Sequence, residues 1–174
     1  MGWSKQQAVG DVFEQLIILA NDRYRRERRG VIWKVPTAWK PIRDRTGKIC
    51  SAKVTEKAPV DFIGVFDGRP IAFEAKHTEN KTWMGWDRLE SHQEEFLLDW
   101  ERAGGEAFVL IGRKLDVLKV PIGKWRSGGK SILLHGHPEW FVPMRGGLPD
   151  YMAAEKEEPQ DYRARRDRDG PQRV

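Results

Sequence analysis

Three residues around a short Asp67-Gly68 step carry the chemistry that the sequence offers most directly: Asp61, Glu74 and Lys76. Asp-Gly between apolar runs, here 60–66 and 71–76, is a strong short-range signal for a β-hairpin with a two-residue loop. Such a loop fixes the pairing register and sets Asp61 directly opposite Glu74, with Cβ atoms about 4.5–5.5 Å apart. Lys76 lies two residues beyond Glu74 and projects from the same face. A four-residue loop would instead oppose Asp61 to Lys76, and all three would still share a face. Two carboxylates this close repel unless positive charge sits between them. Mg²⁺ prefers oxygen ligands and is often held by one or two carboxylates together with phosphate. It lowers the pKa of a bound water and neutralises phosphate charge. A lysine beside it can orient that water or stabilise the transition state. The patch therefore suits metal-assisted hydrolysis of a phosphodiester. The competing reading is an ordinary salt-bridged surface pair. The flanking Phe62, Ile63, Val65 and Phe73 tie the patch to apolar strands without deciding between the two.

The elements that must position these residues follow from periodicity. A helix is expected over 4–26, opened by the capping-box pattern Ser4-x-x-Gln7. Its buried face is marked by Val9, Val12, Phe13, Leu16, Ile17 and Ala20, and Gly30 is its expected stop. Residues 31–35 read as a short strand ended by Pro36. Residues 36–58 lack periodicity, and a loop of that length inside a compact domain is often functional. They read as a protruding arm with a hairpin turn at Thr46-Gly47. A second helix is expected over 91–102, capped by Ser91 with Glu94 three residues on and ended by Gly104-Gly105. Strands are expected over 107–111 and 115–120. No element is assigned to 122–150. The division is a domain over 1–154 with the arm inserted, and a charged tail over 155–174 expected to be disordered.

The charge distribution points to a polyanionic partner. The 174-residue chain carries a net charge of +5 and has a pI near 9.4. The tail balances six basic against six acidic residues, so residues 1–154 carry the excess. Between Trp33 and Ala58 stand Lys34, Lys40, Arg43, Arg45, Lys48, Lys53 and Lys57 against only Asp44 and Glu56. Just upstream, residues 23–29 add Arg25, Arg26 and three further arginines. This stripe is either a track for nucleic-acid phosphates or a solvated surface. The one cysteine, Cys50, excludes an intramolecular disulfide. The first residues show no basic segment followed by an apolar one, and no apolar run approaches the roughly 20 residues of a membrane span. A soluble, cytoplasmic protein without a secretory leader is expected.

Set beside known families, Pro59-Val60-Asp61 followed by Glu74-Ala75-Lys76 resembles the PD-(D/E)xK nuclease superfamily. The wider context resembles RecU-type Holliday junction resolvases over roughly residues 8–122. The supporting segments are Gly10-Asp11-Val12-Phe13-Glu14 with Asn21 and Tyr24, Lys34-Val35-Pro36-Thr37, and Asp61-Phe62-Ile63-Gly64 with Gly68. Phe73-Glu74-Ala75-Lys76-His77-Thr78, His92-Gln93 and Gly104-Gly105-Glu106-Ala107-Phe108 follow in order. The resemblance implies an α/β, restriction-endonuclease-like fold with a mixed central β-sheet flanked by helices. It implies a homodimer acting on branched DNA, with residues 36–58 as the basic arm that enters a four-way junction. It also implies that Asp61 and Glu74 bind Mg²⁺ (Mn²⁺ as a substitute), with Gln93 as a further ligand. Lys76 would stabilise the transition state, and Glu14 would support the site from the first helix. Paired symmetric nicks with 5′-phosphate ends would result. The family usually has a threonine two residues before the metal-binding aspartate. Here Pro59 leaves only its backbone carbonyl or a water for that contact.

Other residues have plainer alternatives. Gln93 can cap its helix or face solvent, and Glu14 can be a helix-surface acid beside the apolar stripe. His77 and His92 lack the partners of a structural zinc site. Trp83, Trp86 and Trp100 read as packing, with base stacking as the alternative for the first two. Two rival functions stand beside a junction resolvase: another nuclease of the superfamily, of restriction or repair type, and a non-catalytic DNA-binding module.

Overall fold

The structure is a computed structural model of the chain and describes residues 5–114, 116–126 and 130–153. Its elements run α1 (Lys5–Arg26), β1 (Gly30–Lys34), β2 (Ala38–Arg43), β3 (Ile49–Glu56), β4 (Phe62–Phe66), β5 (Arg69–Thr78) and β6 (Trp83–Gly85). They continue with α2 (Ser91–Arg102), β7 (Glu106–Arg113), β8 (Asp116–Pro121), β9 (Ser131–Leu133), β10 (Met144–Arg145) and β11 (Leu148–Pro149). Five strands form the main sheet in the order β1-β4-β5-β7-β8. β5 and β7 are parallel, connected through α2, and the other neighbours are antiparallel. This is the expected mixed α/β sheet flanked by helices.

Alternation along the strands sends side chains to two cores. Towards α1, Phe62, Phe66, Ile71, Phe73, Phe108 and Leu110 pack against Phe13, Ile17, Ala20 and Tyr24. The pairing of Phe62 with Phe73, and of Phe73 with Phe108, stacks their rings at centroid distances of 4.9 and 4.8 Å. Each fully buried phenylalanine contributes about 1.5–3 kcal/mol of transfer free energy. On the opposite face, Ala72, Val109, Ile111, Leu118 and Val120 pack with Leu97 of α2 and with Trp125 and Trp140. That second cover reaches Ile63 of β4 but leaves Val31, Trp33 and Val65 exposed on the same face.

Three local expectations need correction. Val12 is 60% exposed, because the buried stripe of α1 follows positions 13, 17, 20 and 24, one column away; Leu16 is only half-buried. Gly30 does not stop α1. Arg28 takes the left-handed conformation (φ 59°), and the N–H groups of Arg28 and Arg29 donate to the carbonyls of Arg25 and Tyr24 at 3.1 and 3.0 Å. These two bonds make a Schellman ending with arginine in the usual glycine position. Gly30 opens β1, where a Cβ would meet Phe66 Cδ2 at 2.8 Å and the Val65 carbonyl at 2.9 Å. The third correction concerns the cap of α2, described with the site below. Ser4, the side chain of Val9, Leu115 and the tail from residue 155 lie outside the described residues.

The arm is the β2–β3 hairpin, with bulges beside Trp39 and Arg43. Its loop is held by Asp44 Oδ1, which accepts from the N–H and hydroxyl of Thr46 at 2.8 and 2.6 Å and from the Lys48 N–H at 3.1 Å. Residues 36–55 are exposed throughout. The stretch 122–150 holds β9, paired with β6, and the β10–β11 hairpin, followed by Asp150 and Tyr151, which close on α1. Tyr24 Oη donates to Asp150 Oδ1 at 2.8 Å, and Tyr151 Oη donates to Asn21 Oδ1.

Candidate active site

Asp67 and Gly68 form the two-residue loop between β4 and β5, with φ of 45° and 80°. Both central residues are left-handed, as the turn that matches strand twist requires. The ladder runs from Phe66↔Arg69 to Phe62↔Phe73. One residue further, Asp61 and Glu74 meet as the two-residue register demands. The Asp61 N–H donates to Glu74 Oε2 at 3.0 Å, and Asp61 Oδ2 accepts from the Ala75 N–H at 3.0 Å. Lys76 Nζ donates to Glu74 Oε1 at 2.8 Å. The three side chains thus share the sheet face that α2 partly covers.

From α2, Gln93 Nε2 donates to Glu74 Oε1 at 2.7 Å, while Gln93 Oε1 accepts from the Glu90 N–H at 3.1 Å and lies 3.4 Å from Lys76 Nζ. Glu90, not Ser91, is therefore the N-cap of α2, and Gln93, not Glu94, is the capping-box partner. Side-chain type alone favoured serine, but the packing of Gln93 against Glu74 sets the helix start one residue earlier. Glu94 is freed for a two-pronged pair with Arg126 at 2.6 Å on each prong.

Glu74 is 2% exposed and forms the floor of the patch, whereas Asp61 and Lys76 are half-buried and open to solvent. Burial and then the neighbouring Asp61 carboxylate push the Glu74 pKa up to about 7, against the opposing pull of Lys76. With both acids ionised, the single ammonium leaves the patch net negative. A hard divalent cation fits this donor set, since both acids offer oxygens from one face. Gln93 can add its amide oxygen only if the amide turns from its cap, because that oxygen now serves Glu90; the O/N assignment itself follows from these hydrogen bonds. Among the described residues no group of three or more His, Cys, Asp or Glu could hold a metal. The donor set is thus two acids supplemented by amide, water or phosphate oxygens.

The remaining candidates are spread more widely. Glu14 is ion-paired with Lys34, and among the described residues no hydrogen bond or ion pair joins it to Asp61, Glu74 or Lys76. On α1, Arg25 pairs with Asp22 at 3.4 Å and Arg26 Nε donates to the Asp22 carbonyl at 3.3 Å. Lys40, Arg43, Arg45, Lys48 and Lys53 are exposed on the arm, and Lys40 stands directly opposite Lys53. Arg43 donates to the Gly47 carbonyl at 2.8 Å across the loop. His92 Nε2 lies 3.3 Å from the Ala58 carbonyl. Trp86 and Trp100 are half-buried, and Trp83 is 50% exposed. Two residues at the site escaped sequence reasoning. Glu90 lacked a signal because glutamate is not a preferred N-cap. The signal for Trp33 was available: in Val31-Ile32-Trp33 both faces of β1 are apolar, although only one meets α1.

A mixed sheet whose central hairpin sets an aspartate against a Glu-x-Lys pair defines the restriction-endonuclease-like class of α/β fold. Within that class, the chain belongs to the Recombination protein U family, RecU, whose sequence model matches residues 8–116. The Holliday junction resolvase RecU of Streptococcus gordonii is 35% identical over 139 residues, covering 72% of this chain and 69% of that protein. That of Leuconostoc mesenteroides is 35% identical over 103 residues, 56% of this chain and 50% of that protein. The chain spans about half the length of several of these relatives. Among solved structures, the Holliday junction resolvase Hjc of Archaeoglobus fulgidus superposes with a TM-score of 0.46 at 14% identity. The superposition covers 71% of this chain and 85% of that one, a likeness too loose to bear on function. No described helix is long and apolar enough to cross a membrane.

Proposed function

We propose that the chain is a divalent-metal-dependent endonuclease that resolves four-way DNA junctions, as a cytoplasmic homodimer making paired symmetric nicks. The observation that carries this reading is the Asp61–Glu74–Lys76 cluster: a buried carboxylate, an opposed carboxylate and a lysine on one face of a hairpin. Asp61 and Glu74 would hold Mg²⁺, or Mn²⁺ in its place, and Gln93 with its amide turned would be the further ligand. Bound there, the cation supplies a water activated near neutral pH and neutralises charge on the phosphate. Lys76, whose ammonium meets Glu74 Oε1, would donate to a non-bridging phosphate oxygen as negative charge grows on it. Water oxygen adds to phosphorus, the bond to the 3′ oxygen breaks, and that oxygen leaves with a proton. The ends are a 5′-phosphate and a 3′-hydroxyl. Glu14 acts at one remove, by fixing Lys34 at the end of β1.

Substrate choice rests on the arm and on relatives named as Holliday junction resolvases. Lys40, Arg43, Arg45, Lys48 and Lys53 project where phosphates of a branched centre could surround them, while Arg25, Arg26 and Lys34 border the body. Lys40 directly opposite Lys53 is an unfavourable pair in a bare hairpin. A phosphate between them reverses the sign. Residues 1–154 would form the nuclease unit and 155–174 an appended tail. The test compares a labelled four-way junction with a linear duplex of the same sequence, each with Mg²⁺ and with chelator. Metal-dependent cuts confined to the junction are expected. Equal cutting of both substrates would favour a nuclease of restriction or repair type, and binding without cutting would favour a non-catalytic module.

A further inference from the structure

The geometry points to Trp33 as a stacking platform for a base adjoining the scissile phosphate. This inference rests on the nuclease reading and adds a residue that reading does not use. β1 is an edge strand of the main sheet and, among the described residues, pairs only with β4. Its Ile32 turns into the α1 core and is 8% exposed. Val31 and Trp33 therefore point the other way, onto the face that carries Asp61, Glu74 and Lys76. Val31 opposes Val65 and Trp33 opposes Ile63. Asp61 follows two residues from Ile63 on the same side. The Val35 N–H donates to the Asp61 carbonyl at 2.8 Å, so the two strands stay paired up to the acid itself. Two apolar cross-strand pairs thus lead in line to the proposed cation site.

The cover that closes this face over β5, β7 and β8 reaches Ile63 but leaves the rest of the strip open. Trp33 is 63% exposed, Val31 49% and Val65 47%, whereas Trp125 and Trp140, under the cover, are 0% and 5% exposed. A DNA strand suits the strip for two reasons. First, it is continuous with the site: Trp33 lies two residues along and one strand across from Asp61, about 8 Å by ordinary strand spacing, within reach of the nucleotide next to a phosphate seated there. On one side stand Gln93 and Glu90; on the other lies the open strip. Second, the surrounding charge is positive. Lys34, ion-paired with Glu14, adjoins Trp33, and the arm with Lys40 opposite Lys53, which supplies the positive charge, starts at Ala38. A basic border repels a second copy of a chain with net charge +5 and attracts a polyanion. Every base has a π-face, so an exposed indole accepts one regardless of sequence. Unpaired or unstacked bases at a branch point are the ones free to use it.

The test uses the full chain and a four-way junction carrying 2-aminopurine at its crossover positions. Trp33→Ala and Trp33→Leu should raise KM for junction cleavage by about 5- to 150-fold, the factor that corresponds to removing one stacked base. Trp33→Phe should restore most of the loss, kcat should change less than KM, and the exposed position should leave the melting temperature unchanged. Quenching of 2-aminopurine on binding should be strong with wild type and abolished by Trp33→Ala. An unchanged KM and unchanged quenching in Trp33→Ala would overturn the inference. So would Leu performing as well as Phe, which indicates plain apolar packing. A loss of dimer mass in Trp33→Ala at unaltered quenching would mark the strip as a protein interface and overturn it too. If the wild type cuts no DNA, the nuclease reading fails separately, and the quenching comparison still decides the role of Trp33.

Discussion

Glu74 holds its place through three donors: the Asp61 N–H, the Lys76 ammonium and the Gln93 amide. They hold a charge that burial disfavours. Its pKa, raised from 4.5 to about 7, means that the folded chain binds this proton more tightly than the unfolded chain does. Without metal, the stabilising contribution is full below pH 4.5 and is lost as pH rises to about 7. Thermal unfolding of the metal-free protein should therefore show a melting temperature that falls over this window. Glu74→Gln, which keeps a hydrogen-bonding oxygen but has no proton to lose, should flatten the fall. Lys76→Ala should lower the cleavage rate by roughly 100- to 1,000-fold, the range seen when one transition-state donor is removed, measured in single turnover. At this scale the sequence was unusually legible. A two-residue loop permits one register, and that register dictated the meeting of Asp61 and Glu74. The cap of α2 was not legible, because Ser91 satisfies the statistical preference, and only the bond to Glu74 shows why Gln93 takes the third helical position.

Between elements, the hairpin that carries the acids depends on the close approach of β1. A Cβ on Gly64 would lie 2.2 Å from the Val31 carbonyl oxygen and 2.6 Å from Ile32 Cα, both backbone atoms that cannot swing aside. Gly64→Ala should destabilise the chain by about 1–3 kcal/mol in urea unfolding and disturb the seating of Asp61. The arm is a separate two-stranded unit whose described side chains lie in solvent from 38 to 55. Replacing residues 38–56 with a short Gly-Ser link should spare folding and remove junction preference. It should also flatten the salt dependence of binding by about 0.9 in log–log slope for each phosphate that the arm no longer neutralises. The arm was visible beforehand as basic residues without periodicity. Its bulged strands were not, because alternation is broken beside Trp39 and Arg43.

Across the whole molecule, the last described segment, around Asp150, closes on the C-terminal part of α1. Asp150 accepts from Tyr24 and pairs with Arg23 at 3.3 Å and Arg145 at 3.1 Å, all with little exposure at the acid. Asp150→Ala removes the acid partner of the little-exposed Arg23 and the acceptor of Tyr24, while Arg145 keeps Glu27 at 2.7 Å, and should cost about 1–3 kcal/mol of stability, read as a shifted urea midpoint with unchanged slope. None of this was readable from residues 122–150. Strands of two or three residues are too short to show a period, and Trp125 and Trp140 reach the core from short turns. The mixed sheet was legible because its long strands alternate or run continuously apolar.

The central claim is that Asp61 and Glu74 together grip a divalent cation, and titration of Mn²⁺ into the purified chain, followed by its EPR signal, tests it most directly. The wild type should bind the ion at a site that Mg²⁺ displaces, and the Asp61→Asn/Glu74→Gln double variant, still folded, should bind it at least tenfold more weakly. Equal Mn²⁺ binding by the two proteins would contradict the account.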